Sequence, residues 1–436
     1  MNTDILTYGA KPDGRTLCTK EIQAAIDACA ASGGGRVTVP AGVYFSGTIW
    51  LRSNVELHLE HNSVIKGSDD MDDYNAEDAY AQNFSSRQNE KWLGKHLVIA
   101  HECENVAITG TGMLDGNAEA FLGDLTPYSA YCWRDGLRTA KSEEASRPGQ
   151  LVCFIECKNV RVEKVTLTNQ PCWGLFFHGC EYVSVRSVRV FNHPTNCNSD
   201  GIDIDCCRYV TVSDCIVDTG DDAIAIRGSA FRLNDKTKAC EYVTVTNCVL
   251  GSSSSVFRIG VGDSIIRHVR ISNICMTRGA AGVTVMTSYL GHGNVSVEDV
   301  IISNVSMTNC AKPLEVIESS VEKATVKDIV IENVNAEVYA FVRFNCENDD
   351  TVENFVLKNW KVKLIDGPKP ISQRDVERLG KVWFTAKNVG GLKLENFDLC
   401  DGEGYLSAWC DGVFSFDKCE RLVLSGVSVN GEDVNY

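Results

Sequence analysis

The chain has 436 residues, 44% of them hydrophobic and 23% charged, an ordinary composition for a water-soluble protein built as several domains or one elongated repeat. Its formal net charge of −16 repels phosphate backbones and argues against a nucleic-acid partner. No apolar run reaches the roughly 18 residues of a membrane-spanning helix, so no membrane partner is expected.

The opening residues, Met1-Asn2-Thr3-Asp4, lack the basic and apolar regions of a signal peptide. The 20 cysteines are therefore expected to be reduced thiols of a cytoplasmic protein. No Cys-x-x-Cys pair or compact Cys/His cluster offers four ligands, and neither a metal nor a cofactor is expected.

The first predicted element is a helix. Ile22, Ala25, Ile26 and Cys29 recur at i, i+3, i+4 and i+7, and Gly33-Gly34-Gly35 stops the pattern. Such a helix, within an N-terminal cap of about residues 1–35, would shield the first strand edges of whatever follows. Irregular polar stretches at about 68–96, 117–150 and 366–381 are expected to be loops that wall a cleft.

Between these stretches the chain repeats itself. Cys157-Lys158-Asn159-Val160-Arg161-Val162 is followed by Cys180-Glu181-Tyr182-Val183-Ser184-Val185, then by Cys207-Arg208-Tyr209-Val210-Thr211-Val212 and Cys240-Glu241-Tyr242-Val243-Thr244-Val245. Degenerate copies stand at Cys103, His268, Asp328 and Cys419. A spacing of about 23 to 37 residues signals stacked repeats. Apolar residues alternate within each copy, marking short strands with one buried face, and no helical pattern separates them. Together these features predict an all-β chain, a single parallel β-helix over residues 1–436 with its cysteines stacked as an interior ladder.

Carboxylates gather in two blocks one coil apart: Asn198-Ser199-Asp200-Gly201-Ile202-Asp203-Ile204-Asp205 and Thr219-Gly220-Asp221-Asp222-Ala223-Ile224. Ile202 and Ile204 should face the core, which turns Asp203 and Asp205 outward. Neighbouring parallel strands lie about 4.8 Å apart, so Asp200, Asp221 and Asp222 should converge on one surface. Charges that close push their proton affinities apart, leaving an acid beside ionised bases, the division of labour glycoside hydrolysis uses. Turn capping and calcium binding are the competing readings of such aspartates, although no further set of oxygen ligands accompanies the block.

Several segments resemble glycoside hydrolase family 28, the polygalacturonase-like enzymes. Tyr8-Gly9-Ala10-Lys11-Pro12-Asp13-Gly14, the run Gly33–Gly42, Ile108-Thr109-Gly110-Thr111-Gly112 and Asp115-Gly116 are similar to the N-terminal signature of pectin-active β-helices. The Asn198–Asp203 and Thr219–Ile226 blocks resemble the family's Asn-Thr-Asp and Asp-Asp motifs. The resemblance implies a right-handed helix and an inverting glycosidase acting on a polysaccharide or oligosaccharide. Asp221 would then be the general acid, Asp200 and Asp222 would activate water, and Asn198 would orient Asp200 or the sugar. Acid and base would lie about 6.5–9.5 Å apart.

The same resemblance exposes departures. Ser255 stands where the family has a histidine, and Thr284-Val285-Met286 stands where it has Arg-Ile-Lys. Two cations that hold a galacturonate carboxylate are thus replaced, and plain polygalacturonate is not the expected substrate. Arg227 and Arg258, projecting from the same sheet in successive coils, would compensate by binding substrate or balance the acidic cluster. Asp203, Ser255, Tyr289 and His292 complete the candidate substrate contacts. A polysaccharide lyase or uronate epimerase, and a non-catalytic glycan-binding β-helix, are the alternative functions.

Overall fold

The computed structural model describes residues 2–75, 92–122, 147–196, 198–289, 293–319, 324–349, 351–367 and 381–434. Strand after strand pairs in parallel with its counterpart one coil earlier and one coil later. A single interior column runs from Val37 and Leu57 through Val185, Val212 and Val245 to Leu394 and Leu424, each in register with the next. The architecture is a right-handed parallel β-helix, as predicted. Valine, isoleucine and leucine fill it because every inward position meets the same position of the neighbouring coils. A branched side chain packs well on such a pleated surface.

Turns repeat as faithfully as strands. At one recurring turn position the backbone is left-handed, at Asn105, Asn159, Tyr182, Tyr209, Tyr242 and His268, with φ between 53° and 59°. Their side chains form an outer ladder. Asn159 Nδ2 donates to Asn105 Oδ1 (3.0 Å), and the rings of Tyr182, Tyr209, Tyr242 and His268 stack at 5.0, 5.3 and 5.0 Å. The repeated cysteines form the expected inner ladder. Cys103, Cys157, Cys180, Cys207 and Cys240 are all buried, and the Cys180 amide donates to Cys207 Sγ (3.3 Å).

Helix α1 spans Thr19–Ala31 and buries Ile22, Ala25, Ile26 and Cys29, the four residues its periodicity selected. Two shorter helices, Glu119–Leu122 and Tyr405–Trp409, have too few residues to show a period in the sequence. The three irregular stretches lie largely outside the described residues. Their described ends include a two-stranded parallel ribbon, Trp92–Leu93 with Arg147–Pro148, which stands apart from the coil.

One sheet face positions the site. Its strands Val152–Ile155, Leu175–His178, Ile202–Asp205, Ile224–Gly228 and Ser255–Gly262 pair in that order. The floor beneath it is apolar: Phe177 is fully buried, in register with Ile204, and stacks on Phe154 at 5.3 Å. Phe177→Ala should cost about 3–5 kcal/mol by leaving a cavity between coils. The check is a lower urea midpoint with parallel-sheet circular dichroism retained.

Candidate active site

Asp200 precedes the strand Ile202–Asp205, and Asp221-Asp222 precede the strand Ile224–Gly228. Two glycines let these segments close up. A Cβ on Gly201 would lie 2.5 Å from the Ala223 carbonyl oxygen, and one on Gly220 would lie 2.3 Å from that of Asn196. The coil spacing then brings the three carboxylates together, with one oxygen of each within 4.8 Å of the others. All three are buried, at 4%, 5% and 2% exposure in chain order.

Their surroundings differ, and the difference sorts their protons. Asp222 accepts hydrogen bonds from the Ser255 amide (3.1 Å) and from Arg258 Nη2 (3.1 Å), and its second oxygen is ion-paired with Arg258 Nε. Burial works against the charge of Arg258, but Asp222, Asp221 and Asp200 outweigh it and hold the guanidinium more firmly protonated than usual. Asp221 accepts backbone N–H groups of Asn198 (2.9 Å) and of Asp222 (3.1 Å), which favour its ionised form. Asp200 has one carboxyl oxygen with no hydrogen-bond partner. Burial, and then the charges of Asp221, Asp203 and Asp222, push its proton affinity well above the ordinary range. Burial and like charge thus favour the protonated form of Asp200.

The oxygens approach more closely than the expected 6.5–9.5 Å. That gap describes a site in which one acid faces one base across the sugar. One water bonded to two carboxylates requires them no more than about 5.5 Å apart, and the present spacing meets that limit.

Asp203 and Asp205 alternate with core residues as predicted, but they are not exposed. Ile202 and Ile204 lie in the core, and the opposite face is itself covered. Beside it, Cys153, Ile155, Phe176, Cys206, Ala230 and Leu233 form a second apolar cluster. Asp203 is fully buried and Asp205 is 2% exposed. Burial raises the proton affinity of Asp203 well above normal, against the opposing charge of Arg227 and with help from Asp222.

The two arginines project from this face, as expected, but two residue positions apart. Arg258 is in register with Ala225, and Arg227 with Asp205. Arg227 pairs with Asp205 (3.4 Å) and Asp203 (4.0 Å) and lies over the Trp173 ring at 4.6 Å. Arg258 lies over the ring of Tyr289 at 5.6 Å, which brings Tyr289 to the site. His292 falls outside the described residues. Ser255 and Thr284, two of the replaced family positions, hydrogen-bond to each other (2.8 Å), and the Met286 sulfur accepts from Arg258 Nη1 (3.6 Å). The Asn198 backbone N–H donates to Asp221 Oδ2, one turn removed from Asp200.

Four further residues join the site without a sequence signal strong enough to select them. Arg147 is 2% exposed and donates to Asn198 Oδ1 (3.1 Å). Gln170 is fully buried, and neither end of its amide has a partner. Its Nε2 and the Asp200 carbonyl oxygen lie 3.1 and 3.2 Å from the point a Cβ on Gly174 would occupy. Trp173 supplies the ring beneath Arg227. His178 is buried, its proton affinity lowered by that burial, and its Nε2 contacts the Ser229 carbonyl oxygen (3.0 Å). The Gln170-Pro171-Cys172-Trp173 turn between two repeats was the one available hint.

Three buried carboxylates therefore meet on the outer face of a solenoid, an arrangement suited to acid–base chemistry. Residues 29–378 match the model of glycosyl hydrolases family 28, and the chain belongs to that family. It is 32% identical over 251 residues to an exo-poly-alpha-D-galacturonosidase of Dickeya chrysanthemi, an alignment covering 51% of this chain and 41% of that protein. It is 22% identical over 374 residues to polygalacturonase-2 of Solanum lycopersicum, covering 82% and 74%. The chain thus spans less than half the length of the first of these relatives. Among solved structures, an exopolygalacturonase of Thermotoga maritima superposes with a TM-score of 0.63 at 23% identity, covering 92% of this chain and 91% of that one. A family 28 exopolygalacturonase of Yersinia enterocolitica gives 0.68 at 19%, covering 100% and 79%. These two likenesses show the shared fold.

The raised affinities of Asp200 and Asp203 link the site to stability. A buried acid that holds its proton too tightly favours the fold fully below its unfolded value, near pH 4. That contribution is lost as pH rises through the displaced folded value. Asp200→Asn and Asp203→Asn should therefore melt at a higher temperature than the parent at about pH 7, with the difference shrinking toward about pH 4. Calorimetry across that range checks the sign.

Proposed function

We propose that this protein hydrolyses glycosidic bonds in a pectin-related polysaccharide or its oligosaccharides, with inversion at the anomeric carbon. The observation that carries the reading is the sorted trio of carboxylates, in a chain that belongs to a family of glycosyl hydrolases. Asp222, ion-paired with Arg258 and bonded by the Ser255 amide, is the base. Asp200 and Asp221 share the acid's proton: it rests on Asp200 in the free protein and leaves from Asp221 onto the glycosidic oxygen. As it leaves, a water held between Asp200 and Asp222 attacks the anomeric carbon from the opposite face and gives its proton to Asp222. Titration of such a cluster belongs to the group as a whole. The unpartnered atoms of Asp200, Asp203 and Gln170 suit a ligand rich in hydroxyl groups.

The reacting sugar, in this reading, is not a plain galacturonate. Ser255 and Thr284 satisfy each other, Arg258 is committed to Asp222, and Arg227 is committed to Asp205 and Asp203. Losing two carboxylate-binding cations forfeits charge-assisted hydrogen bonds worth about 1.5–3 kcal/mol each. Arg258 consequently serves the base rather than the substrate, and Arg258→Ala lowers turnover on acidic and neutral substrates alike. A cytoplasmic location belongs to the same proposal.

Defined oligogalacturonides and their decorated or neutral-sugar counterparts, assayed side by side, test the substrate. A decorated or neutral reacting sugar is expected to be the better one, and unsubstituted polygalacturonate as best substrate overturns that part. Proton NMR of the first-formed anomer should show inversion; retention rejects the assignment of Asp222 as base. Asp221→Asn and Asp222→Asn should each lose roughly a hundredfold in turnover while melting normally.

A further inference from the structure

Two insertions distant in sequence meet in the ribbon Trp92–Leu93/Arg147–Pro148, outside the ladder of coils. The ribbon delivers Arg147 to the carboxylate cluster. Its side chain is among the largest that are fully buried, and Nη2 donates to Asn198 Oδ1 (3.1 Å). Asn198 has left-handed backbone, φ 56°, a conformation asparagine tolerates but does not prefer. In that conformation its amide donates to Asp221 Oδ2 (2.9 Å). The guanidinium thus grips one end of the residue whose other end holds the carboxylate.

We propose that Arg147 is a positioning residue for Asp221: it pins Asn198 so that the backbone N–H stays aimed at Asp221 Oδ2. The proposal rests on the reading of Asp221 as a reacting carboxylate. Asp221 is also faced by Asp200 and Asp203 from the preceding coil, by Asp222 on its own turn, and by Arg258 from the following coil. Arg147 acts on this group through geometry, from a different structural unit. The sugar need not touch it. A ribbon built only to wall the cleft would have no use for a buried guanidinium on the Asn-Asp motif.

The test is a double-mutant cycle on the full chain, assayed with the best substrate found above. Arg147→Met should lower kcat by about 10- to 100-fold with KM within about twofold. It should also move the basic limb of the kcat–pH profile upward, because Asp221 loses a donor to its charged form. Asn198→Gly keeps the backbone N–H and adopts positive φ readily, but deletes the amide that Arg147 grips. In that background Arg147→Met should change little. Arg147→Lys, which keeps the buried charge and loses the fork, should shift the limb in the same direction by less, and it serves if the methionine variant does not fold. An unmoved limb in either folded variant, or an equal loss in both backgrounds, overturns the proposal. Normal turnover in Asp221→Asn instead overturns the catalytic reading beneath it.

Discussion

Parallel coils stack at one fixed spacing, about 4.8 Å, and nearly everything distinctive here follows from that constraint. A residue type that suits one coil meets its own kind above and below. Valines therefore pack into interior columns, cysteines into an inner ladder, and tyrosines into an outer one. Applied to acidic residues, the same stacking produces conflict. Asp200 and the Asp221-Asp222 pair are brought together because the turn before one strand lies beside the turn before the next. The fold forces like charges into a shared buried space, and the site meets the conflict with the Arg258 guanidinium and a set of backbone donors.

This arrangement explains why the arginines turn inward. In an acidic trio, a nearby cation is worth more to the charges already present than to a ligand that arrives later. Arg258 forks onto Asp222, and Arg227 settles between Asp203 and Asp205. Each buried carboxylate of these pairs thereby faces a guanidinium inside the fold. The groups beside them that are not drawn into these ion pairs are the amide of Gln170 and the ring of Tyr289.

The regular parts of this molecule were legible in the amino-acid sequence, because a period leaves a trace. Ile22, Ala25, Ile26 and Cys29 announced the capping helix, and the Cys-x-x-Val-x-Val repeat announced the coil. The register between the Asp200 and Asp221 blocks followed from that repeat. Parts outside the period were not legible. Arg147 arrives from an insertion with no repeat to fix its direction, and Gln170 sits in a turn. Alternation placed Asp203 on the outer face correctly, but could not show that this face was already roofed by Phe176 and its neighbours. Nor could spacing alone decide whether Arg258 would meet a sugar or a carboxylate.

The continuous interior column from Val37 to Leu424 has a consequence for how such a chain diverges. Each coil touches only its neighbours, so whole coils are interchangeable units in a one-dimensional array. The residues of the carboxylate site, however, are not confined to one unit. Asn198 and Asp200, Asp221 and Asp222, Arg258, and then Thr284 come from four consecutive coils, with Arg147 entering from outside. Exchange of coils toward either end preserves this set, whereas an exchange that cuts between Asn198 and Thr284 severs partners that hold one another's charge. The protein is modular in its scaffold and indivisible over one stretch of four coils, so recombination is free to remodel the cleft's ends while its centre is inherited as a block.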